Sequence, residues 1–224
     1  MSDAVGLFAK APRPGRVKTR LVPPLTHDEA AAFARLCLEE TLRRFRAKVP
    51  AAWTLFLDAP SESWCSEIAN ASGIAIAEQG EGDLGERLHR AFRDLLATSS
   101  RVVMIGSDSP TLDPAWISMG LSRLESADVV LGPARDGGCY LIGSRRDPGP
   151  LLEGIAWGAS GVCESIRDRA GASGFTLALL PEWYDLDEAV DLERAARDLD
   201  ACPALRSWLD LVRGREAEAR SPEG

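Results

Sequence analysis

The sequence contains few of the residues that build zinc sites or disulfide frameworks. Its 224 residues include two histidines and five cysteines, at positions 37, 65, 139, 163 and 202. The cysteine count is odd, the spacings are wide and no Cys-x-x-Cys pair occurs, which disfavours a structural zinc site or a set of disulfides. Cys37, Cys65 and Cys163 fall within helical patterns, so we interpret them as small buried thiols.

Long apolar runs and broad positive charge are also missing. No segment approaches the roughly 20 apolar residues of a membrane span, and the first residues lack the basic segment and long apolar stretch of a secretion signal. The formal net charge is −8, which argues against a general nucleic-acid or anionic-membrane binder. We therefore expect a cytoplasmic protein with no membrane span and no nucleic-acid partner.

One short segment departs from this acidic composition. Residues 10–20 (KAPRPGRVKTR) contain no acid and carry five cations: Lys10, Arg13, Arg16, Lys18 and Arg20. The segment follows an apolar run at residues 4–9 that is typical of a buried strand, and its two prolines and Gly15 exclude a regular helix. A shaped cationic loop at the carboxyl end of a strand predicts a phosphate-binding site, and the alternative is a solvated basic loop paired with surface acids.

Within this loop we assign the phosphate contacts to Lys18 and Arg20. The two alternate along the chain, so in an extended segment they project to one side and Thr19 to the other. Lys10 and Arg13 are expected to support them, with Gly15 shaping the backbone. The spacing matches neither a P-loop nor a dinucleotide-binding fingerprint, because Gly15 has no partner glycines.

Short apolar strands and amphipathic helices alternate along the first two thirds of the chain. This pattern predicts a single α/β domain over residues 1–213, with a mixed, mostly parallel sheet and helices on both faces, and a disordered charged tail at 214–224. Predicted strands cover residues 4–9, 53–58, 73–77, 101–106, 128–133, 139–143 and 176–180, and predicted helices include one from a Thr26/Glu29 capping box to near Pro50, one at 61–71, one at 84–95 and one that begins at Asp113 and Pro114. Only PARDGG separates the fifth and sixth strands, which favours a hairpin.

Two acids are candidates for holding a divalent cation. Asp108 follows the apolar strand at 101–106, where a carboxylate either caps a turn or binds a hard cation against phosphates. Because Asp113 already caps the next helix, we favour the metal role for Asp108. Asp187 precedes a helical pattern and is by default an N-cap, but it has lone pairs to spare for a metal.

Two glycine-rich segments are candidates for contacting a substrate. Arg135-Asp136-Gly137-Gly138 is first of all a turn, and the functional alternative is that its glycines admit a substrate while Asp136 touches a hydroxyl. The segment 79–87 leads into a helix start, where Gly82, Asp83 and Gly85 suit a nucleotide's base or sugar. A plain turn with Asp83 as the helix cap explains this segment nearly as well.

Taken in order, six motifs give the chain a specific resemblance. These motifs are FAKAPRPGRVKTRL, GDLGERL, IGSDSPTL, DVVLGPARDGGCYLIG, AWG and DLDEAVDL. Over about residues 4–195 the chain resembles the small glycosyltransferase-like proteins of GT-A fold, which are relatives of the 2-phospholactate guanylyltransferases and the molybdenum-cofactor nucleotidyltransferases. The resemblance implies a nucleotide-diphospho-sugar transferase fold, with the nucleotide at the carboxyl ends of the strands and Mg²⁺ or Mn²⁺ at an aspartate.

Carried onto this sequence, the resemblance implies that Lys18 and Arg20 contact phosphates and that Asp108 and Asp187 contact the metal. Trp157 of the AWG motif joins Gly137 and Gly138 as substrate-contacting residues. Two positions depart from the family pattern: Glu188-Ala189 stands where Thr-Pro is usual, and Cys139 stands where an aromatic residue is usual.

Our leading hypothesis from the sequence is a metal-dependent transferase that passes a sugar from a nucleotide-diphospho-sugar to a small acceptor. Asp108 and Lys18 would carry the chemistry, and Asp136 would orient the acceptor or act as its base. One alternative is a nucleotidyltransferase that joins a nucleoside triphosphate to a phosphorylated small molecule and releases pyrophosphate. Another is a nucleotide-binding module without turnover.

Overall fold

The computed structural model describes residues 2–60, 63–195 and 198–220. The strands in this part of the chain are β1 (Asp3–Ala9), β2 (Ala52–Leu57), β3 (Ala75–Glu78), β4 (Arg101–Gly106), β5 (Val129–Pro133), β6 (Cys139–Ser144) and β7 (Leu177–Leu179). The helices are α1 (His27–Arg46), α2 (Ser63–Ser72), α3 (Leu84–Leu96), α4 (Pro114–Arg123), α5 (Gly149–Leu152), α6 (Val162–Ala172), α7 (Ala189–Arg194) and α8 (Pro203–Arg220), with short 3₁₀ turns at Thr19–Leu21 and Asp198–Ala201.

The seven strands form one sheet in the order β3-β2-β1-β4-β6-β5-β7. Strand β6 runs antiparallel to its neighbours β4 and β5, while the other pairs are parallel. The connection between β5 and β6 forms a hairpin. A few residues are enough to reverse the chain between antiparallel strands, whereas a crossover between parallel strands needs about a dozen residues or more. The predicted mixed, mostly parallel α/β sheet is confirmed.

Apolar side chains cover both faces of the sheet. On one face Leu38 and Phe45 of α1 and Ile117 of α4 pack with Leu7 and Leu55 of the strands. On the other face the covering helices are α3, α5 and α6, which contribute the buried residues Leu88, Phe92, Leu151, Leu152 and Ile166. A third cluster joins α1 to α7 and α8, so the last helices close over the end of the first one.

The register of the sheet decides which loops meet. Strand β1 pairs in parallel with β4, with Phe8 opposite Gly106. Because parallel strands end at the same edge of a sheet, the cationic loop after β1 and the loop after β4 lie side by side. This edge holds the candidate site.

Several local predictions agree with the structure. Helix α1 begins with a capping box between Thr26 and Glu29, and Asp113 caps α4 with Pro114 in its first turn. The third strand begins at Ala75, two residues later than the predicted start at Gly73. The predicted second helix started at residue 61, and residues 61–62 lie outside the described part of the chain.

The end of the chain differs from the prediction. Helix α8 continues to Arg220, so residues 214–220 are helical where we expected a disordered tail. The Arg, Glu and Ala residues of this segment are strong helix formers, and the helix propagates through them from its packed first half. Residues 221–224 lie outside the described part. Among the described helices, no one combines the length and the apolar character that crossing a membrane requires.

Candidate active site

A cavity of about 690 Å³ opens at the carboxyl edge of β1 and β4. Segments that are far apart in sequence line it, among them the cationic loop, the start of α3, the end of β4 with its loop, β6, the loop that holds Trp157, and the acidic segment before α7. Its polar lining residues include Lys10, Arg16, Lys18, Thr19, Arg20, Gln79, Arg87, Ser107, Asp108, Asp185 and Asp187. The cavity therefore brings cations and carboxylates together in one space.

Lys18 is the cation that contacts the carboxylates of this cavity. Its ammonium forms ion pairs with Asp108 Oδ1 and, at 2.7 Å, with Asp187 Oδ1. The Lys18 side chain is 4% exposed, whereas those of Asp108 and Asp187 are 48% and 40% exposed. Burial by itself lowers the pKa of Lys18, but the two carboxylates outweigh it and hold that pKa well above its usual value. Lys18 is thus a permanent cation.

The backbone at Lys18 explains how a loop lysine reaches inward. Lys18 has φ 47° and ψ 37°, in the left-handed region, and is followed directly by the 3₁₀ turn Thr19–Leu21. Our reasoning that Lys18 and Arg20 alternate along an extended segment was therefore wrong, although both line the cavity. A left-handed non-glycine residue costs roughly 1–2 kcal/mol, and the paired ammonium offsets that cost here.

The loop that carries Asp108 is hydrogen-bonded to the acidic segment before α7. Its carbonyl oxygen accepts a hydrogen bond of 2.8 Å from the Leu186 amide. The next residue, Ser109, donates its hydroxyl to Asp185. These contacts place the Asp185 and Asp187 side chains beside Asp108 and bring three carboxyl groups to one wall.

Asp185 is a site residue that the sequence reasoning missed. Burial, and next the charge of Asp108, raise the pKa of Asp185 to about 7. The signal was present in the spacing, because Asp185 and Asp187 alternate in a non-helical segment and so face the same side. We had considered only the second of the pair.

The structure corrects the default interpretation of Asp187. Helix α7 has Glu188 as its N-cap, in a capping box with Asp191. Asp187 stands one residue before the cap, and its carboxylate accepts from the Lys18 ammonium. Its oxygens are therefore directed to the cavity and not to the helix.

The other cations of the loop divide into two groups. Lys10 and Arg16 line the cavity, and within the described residues no acid forms an ion pair with either. Arg20 also lines it, with its nearest acid, Glu188, at 3.8 Å. Arg13 instead pairs with Asp58 at 3.4 Å, outside the cavity lining, so the alternative of a basic side chain paired with an acid describes Arg13.

Gly15 likewise shapes the loop without lining the cavity. Its φ of 72° lies in the left-handed region, which glycine adopts at no steric cost. The Ala11 amide donates to Asp58 Oδ1 at 2.6 Å and ties the loop to the end of β2. Among the described residues, Arg13 and Gly15 thus lie outside the cavity lining, and their phosphate contacts stay a prediction.

At the start of α3, capping and lining are done by different residues. Asp83 accepts from the Glu86 amide at 2.9 Å in a capping box, and it does not line the cavity. Gly82 and Arg87 do line it. The buried Gln79 donates its amide to the carbonyls of Ala9 and Phe56 and so fixes this segment to the ends of β1 and β2.

Gly85 is required by packing and not by a ligand. A Cβ atom at Gly85 would lie 2.4 Å from the Leu152 carbonyl oxygen and 2.7 Å from Trp157 Nε1. Trp157 lines the cavity, and its buried Nε1 has no hydrogen-bond partner among the described residues. The packing of Trp157 against Gly85 thus places its indole at the cavity with the Nε1 atom enclosed.

The Asp136 turn does not reach the cavity. Asp136 Oδ1 accepts from the Gly138 amide at 2.8 Å, and a Cβ atom at Gly137 would lie 2.6 Å from the Gly161 amide nitrogen. Neither Asp136 nor the two glycines are among the described lining residues, whereas Cys139 is. The turn interpretation describes this segment, and the structure does not bring Asp136, Gly137 or Gly138 into the described cavity lining.

The carboxylates at the cavity fit a divalent cation that keeps most of its water. Asp108 and Asp187 each direct an oxygen at one ammonium, so the pair already holds a single positive charge. Within residues 2–60, 63–195 and 198–220, no three His, Cys, Asp or Glu side chains are grouped closely enough to hold a metal by themselves. Mg²⁺ commonly binds proteins through one or two carboxylates and completes its shell with water and phosphates.

Comparison with known proteins identifies the family. A family model described as "uncharacterized protein conserved in bacteria (DUF2064)" matches residues 41–159, more than half of the chain. The chain belongs to the DUF2064 family. The matched segment runs from α1 to the loop that holds Trp157 and includes the Asp108 loop.

Relatives of this DUF2064 chain are transferases. It is 27% identical over 179 residues to the 2-phospho-L-lactate guanylyltransferase of Methanothermobacter thermautotrophicus, covering 78% of this chain and 76% of that one. A crystal structure from Desulfovibrio desulfuricans G20, provisionally assigned as a nucleotide-diphospho-sugar transferase, is 30% identical with a TM-score of 0.84, covering 96% of this chain and 98% of that one. The predicted kinship with GT-A nucleotidyltransferases and the prediction of an enzyme of the transferase class are confirmed.

The fold extends to more distant nucleotidyltransferases. The 4-diphosphocytidyl-2C-methyl-D-erythritol synthase of Anaerococcus prevotii DSM 20548 superposes with a TM-score of 0.61 at 11% identity, covering 89% of this chain and 96% of that one. At this identity the likeness concerns the fold alone. The DUF2064 chain thus shares its architecture with this synthase.

Proposed function

We propose that the protein is a nucleotidyltransferase, which moves the nucleoside monophosphate of a nucleoside triphosphate onto a small phosphorylated acceptor and releases pyrophosphate. This was the second of our sequence hypotheses. The observation that carries it is the charge of the cavity: five cations line it, Lys10, Arg16, Lys18, Arg20 and Arg87, around one carboxylate wall. A triphosphate with a phosphorylated acceptor brings more negative charge than a diphosphate sugar with a neutral one.

The arginine and lysine side chains of the cavity would bind phosphate in different ways. Arginine guanidinium groups bind phosphate oxygens through two parallel hydrogen bonds, and a lysine ammonium acts as a mobile point charge. Arg16 and Lys10 form no ion pair with described acids, so they can bind a phosphate without first giving up a carboxylate. Arg20 is 67% exposed and only loosely paired, so it too is available.

Nucleotidyl transfer to a phosphorylated acceptor does not require Asp136 as a base. An oxygen of the acceptor's phosphate attacks the α-phosphorus, the new P–O bond forms, and the bond to the departing pyrophosphate breaks. A phosphate oxygen is already ionised near neutral pH, so the reaction needs no general base to remove a proton. The distance of Asp136 from the cavity lining is therefore no obstacle.

Asp108 and Asp187 would hold the divalent cation. When bound, Mg²⁺ or Mn²⁺ neutralises phosphate charge and polarises the phosphoryl group. Lys18, Arg16 and Arg20 would spread the remaining charge of the triphosphate and orient it for in-line attack. Trp157, which lines the cavity, would contact the substrate through its indole ring.

Sugar transfer from a nucleotide sugar is the second candidate. It is favoured by the similarity to the Desulfovibrio protein. An acceptor hydroxyl can need a base, and Asp185, whose pKa lies near 7, lines the cavity and could serve.

The two functions release different products. The experiment incubates the protein with each of the four nucleoside triphosphates, Mg²⁺ or Mn²⁺, and 2-phospho-L-lactate or related phosphorylated hydroxy acids. In parallel it offers nucleotide sugars with neutral acceptors. Pyrophosphate that appears only when the acceptor is present supports nucleotidyl transfer. Free nucleoside diphosphate released from a nucleotide sugar would instead support sugar transfer and contradict the proposed nucleotidyltransferase function.

A further inference from the structure

We infer that Lys18 is a built-in counter-ion that competes with a divalent cation for the Asp108–Asp187 carboxylate pair. It thereby holds metal affinity low while the cavity contains no substrate phosphates. The inference rests on the proposed function for the identity of the site, and it concerns how that site is loaded. It assigns to Lys18 a regulatory role beyond the phosphate contact.

The geometry makes the two cations mutually exclusive. The Lys18 ammonium contacts one oxygen of Asp108 and one of Asp187 at ion-pair distance. A metal bridging the same two oxygens would occupy the position of that nitrogen. Like charges at such short range repel strongly, and the repulsion between the ammonium and a divalent ion exceeds that between two single charges.

Burial shows which partner of the cluster is enclosed. Lys18 is nearly fully covered, while Asp108 and Asp187 retain close to half of their exposure. The carboxylates can therefore be reached from the cavity by a hydrated ion, but Lys18 must be pushed aside for that ion to bind. Its left-handed backbone aims the side chain at the pair before any ligand arrives.

The charge of the cluster attracts a divalent cation, and its ion pairs oppose the binding of that cation. Asp108 and Asp187 together with the ammonium leave an excess of negative charge, so a divalent cation is attracted to the pair. A metal must nevertheless break two ion pairs with a buried ammonium. Lysine has a flexible four-carbon stem, so its ammonium can move to phosphate oxygens in the same cavity once they are present.

The test measures Mn²⁺ binding by the electron paramagnetic resonance signal of the free ion, with no nucleotide present. The variant Lys18→Met keeps the length of the side chain and removes its charge. The matched control Lys10→Met removes the same charge from the same cavity away from the two carboxylates. We expect Lys18→Met to bind Mn²⁺ at least about tenfold more tightly than wild type, and Lys10→Met to change little.

A double variant locates the effect. Adding Asp108→Asn to Lys18→Met should abolish the gain, because the oxygen that the metal would use is then neutral. Mn²⁺ affinity that is unchanged or weaker in Lys18→Met, or a gain that survives Asp108→Asn, would overturn the inference. Circular dichroism and thermal unfolding establish that each variant is folded.

A measurement on the wild-type protein covers the case in which Lys18→Met does not fold. Acetylation of lysines by an amine-reactive reagent is followed by mass spectrometry with and without Mn²⁺. Displacement of the ammonium should raise the labelling of Lys18 and leave that of Lys10 unchanged. Equal labelling of Lys18 at saturating Mn²⁺ would contradict competition. None of these measurements uses a nucleotide, so absence of turnover would refute the proposed function without deciding this inference.

Discussion

The ammonium of Lys18 lies 2.7 Å from a carboxylate oxygen of Asp187, a residue 169 positions later in the chain. The contact joins the loop after the first strand to the segment before α7. With Asp108 at the end of β4, it collects the charged groups of three distant segments at one edge of the sheet. This relationship is the basis of the predictions below.

Asp108→Asn should remove the dependence of nucleotide binding on metal. The amide keeps the shape of the side chain, which is half exposed, so the fold should persist. We expect thermal stabilisation by the best-binding nucleoside triphosphate to become the same with Mn²⁺ and with EDTA. Asp113→Asn, in the same loop but outside the cavity lining, is the control, and retained metal dependence in Asp108→Asn would remove Asp108 from the site.

Arg16→Gln should weaken triphosphate binding by roughly tenfold or more, because a hydrogen bond to a charged group contributes about 1.5–3 kcal/mol. Arg13→Gln provides the comparison within the same loop, since Arg13 pairs with Asp58 outside the cavity lining. Isothermal titration with each variant measures the difference. Equal losses for the two variants would mean that the loop acts only as a diffuse basic surface.

Gly85→Ala should destabilise the protein by about 1–3 kcal/mol through overpacking. The new methyl group would meet the Leu152 carbonyl oxygen and the Trp157 indole, and a backbone carbonyl cannot rotate away. Gly171→Ala, in α6 with no atom within 4 Å of the added Cβ, should instead stabilise by about 0.5–1 kcal/mol. Urea unfolding of both variants tests the prediction, and a neutral Gly85→Ala would contradict the packing described here.

Asp128→Asn should cost stability at neutral pH but not in strong acid. Hydrogen bonds from Thr176, and next from Arg145, lower the pKa of Asp128 from 3.8 to about 2 in the folded protein. A lowered pKa means that the stabilisation is complete above the unfolded value and is lost as the pH falls toward 2. The difference in unfolding free energy between wild type and variant should therefore shrink between about pH 4 and pH 2.

The exposed Asp210 offers the control for this pH series. Asp210→Asn removes an exposed carboxylate, and its pH series supplies the baseline against which the Asp128→Asn difference is compared. A constant difference between wild type and Asp128→Asn across the range would indicate that shape, and not charge, sets the contribution of Asp128.

The sequence predicted the parts of the fold that local physics controls. The capping box at Thr26, the helix cap at Asp83 and the Asp113-Pro114 helix start are short-range patterns, and each occurs in the structure. The β5–β6 hairpin followed from a connection too short for a crossover. The prediction of disorder at residues 214–220 was wrong, because the local sequence does not show that a helix continues into this segment from the packed residues before it.

The site was predictable in outline and not in detail. Asp108 and the cationic loop could be placed together because parallel strands end at one edge. The left-handed backbone of Lys18 and the burial of Asp185 depend on tertiary contacts that no local pattern reports. The sequence could not show that Asp136 lies outside the described cavity lining, because a functional glycine-rich turn and a structural one have the same sequence pattern.

The most direct test of the whole account is a crystal structure with Mn²⁺ and a non-hydrolysable nucleoside triphosphate, read through the anomalous signal of manganese. The account predicts a manganese peak at the carboxylates of Asp108 and Asp187, with the Lys18 ammonium moved from them to the phosphates. A nucleotide bound away from the cationic loop, or Lys18 still bridging the two carboxylates with no manganese beside them, would contradict it.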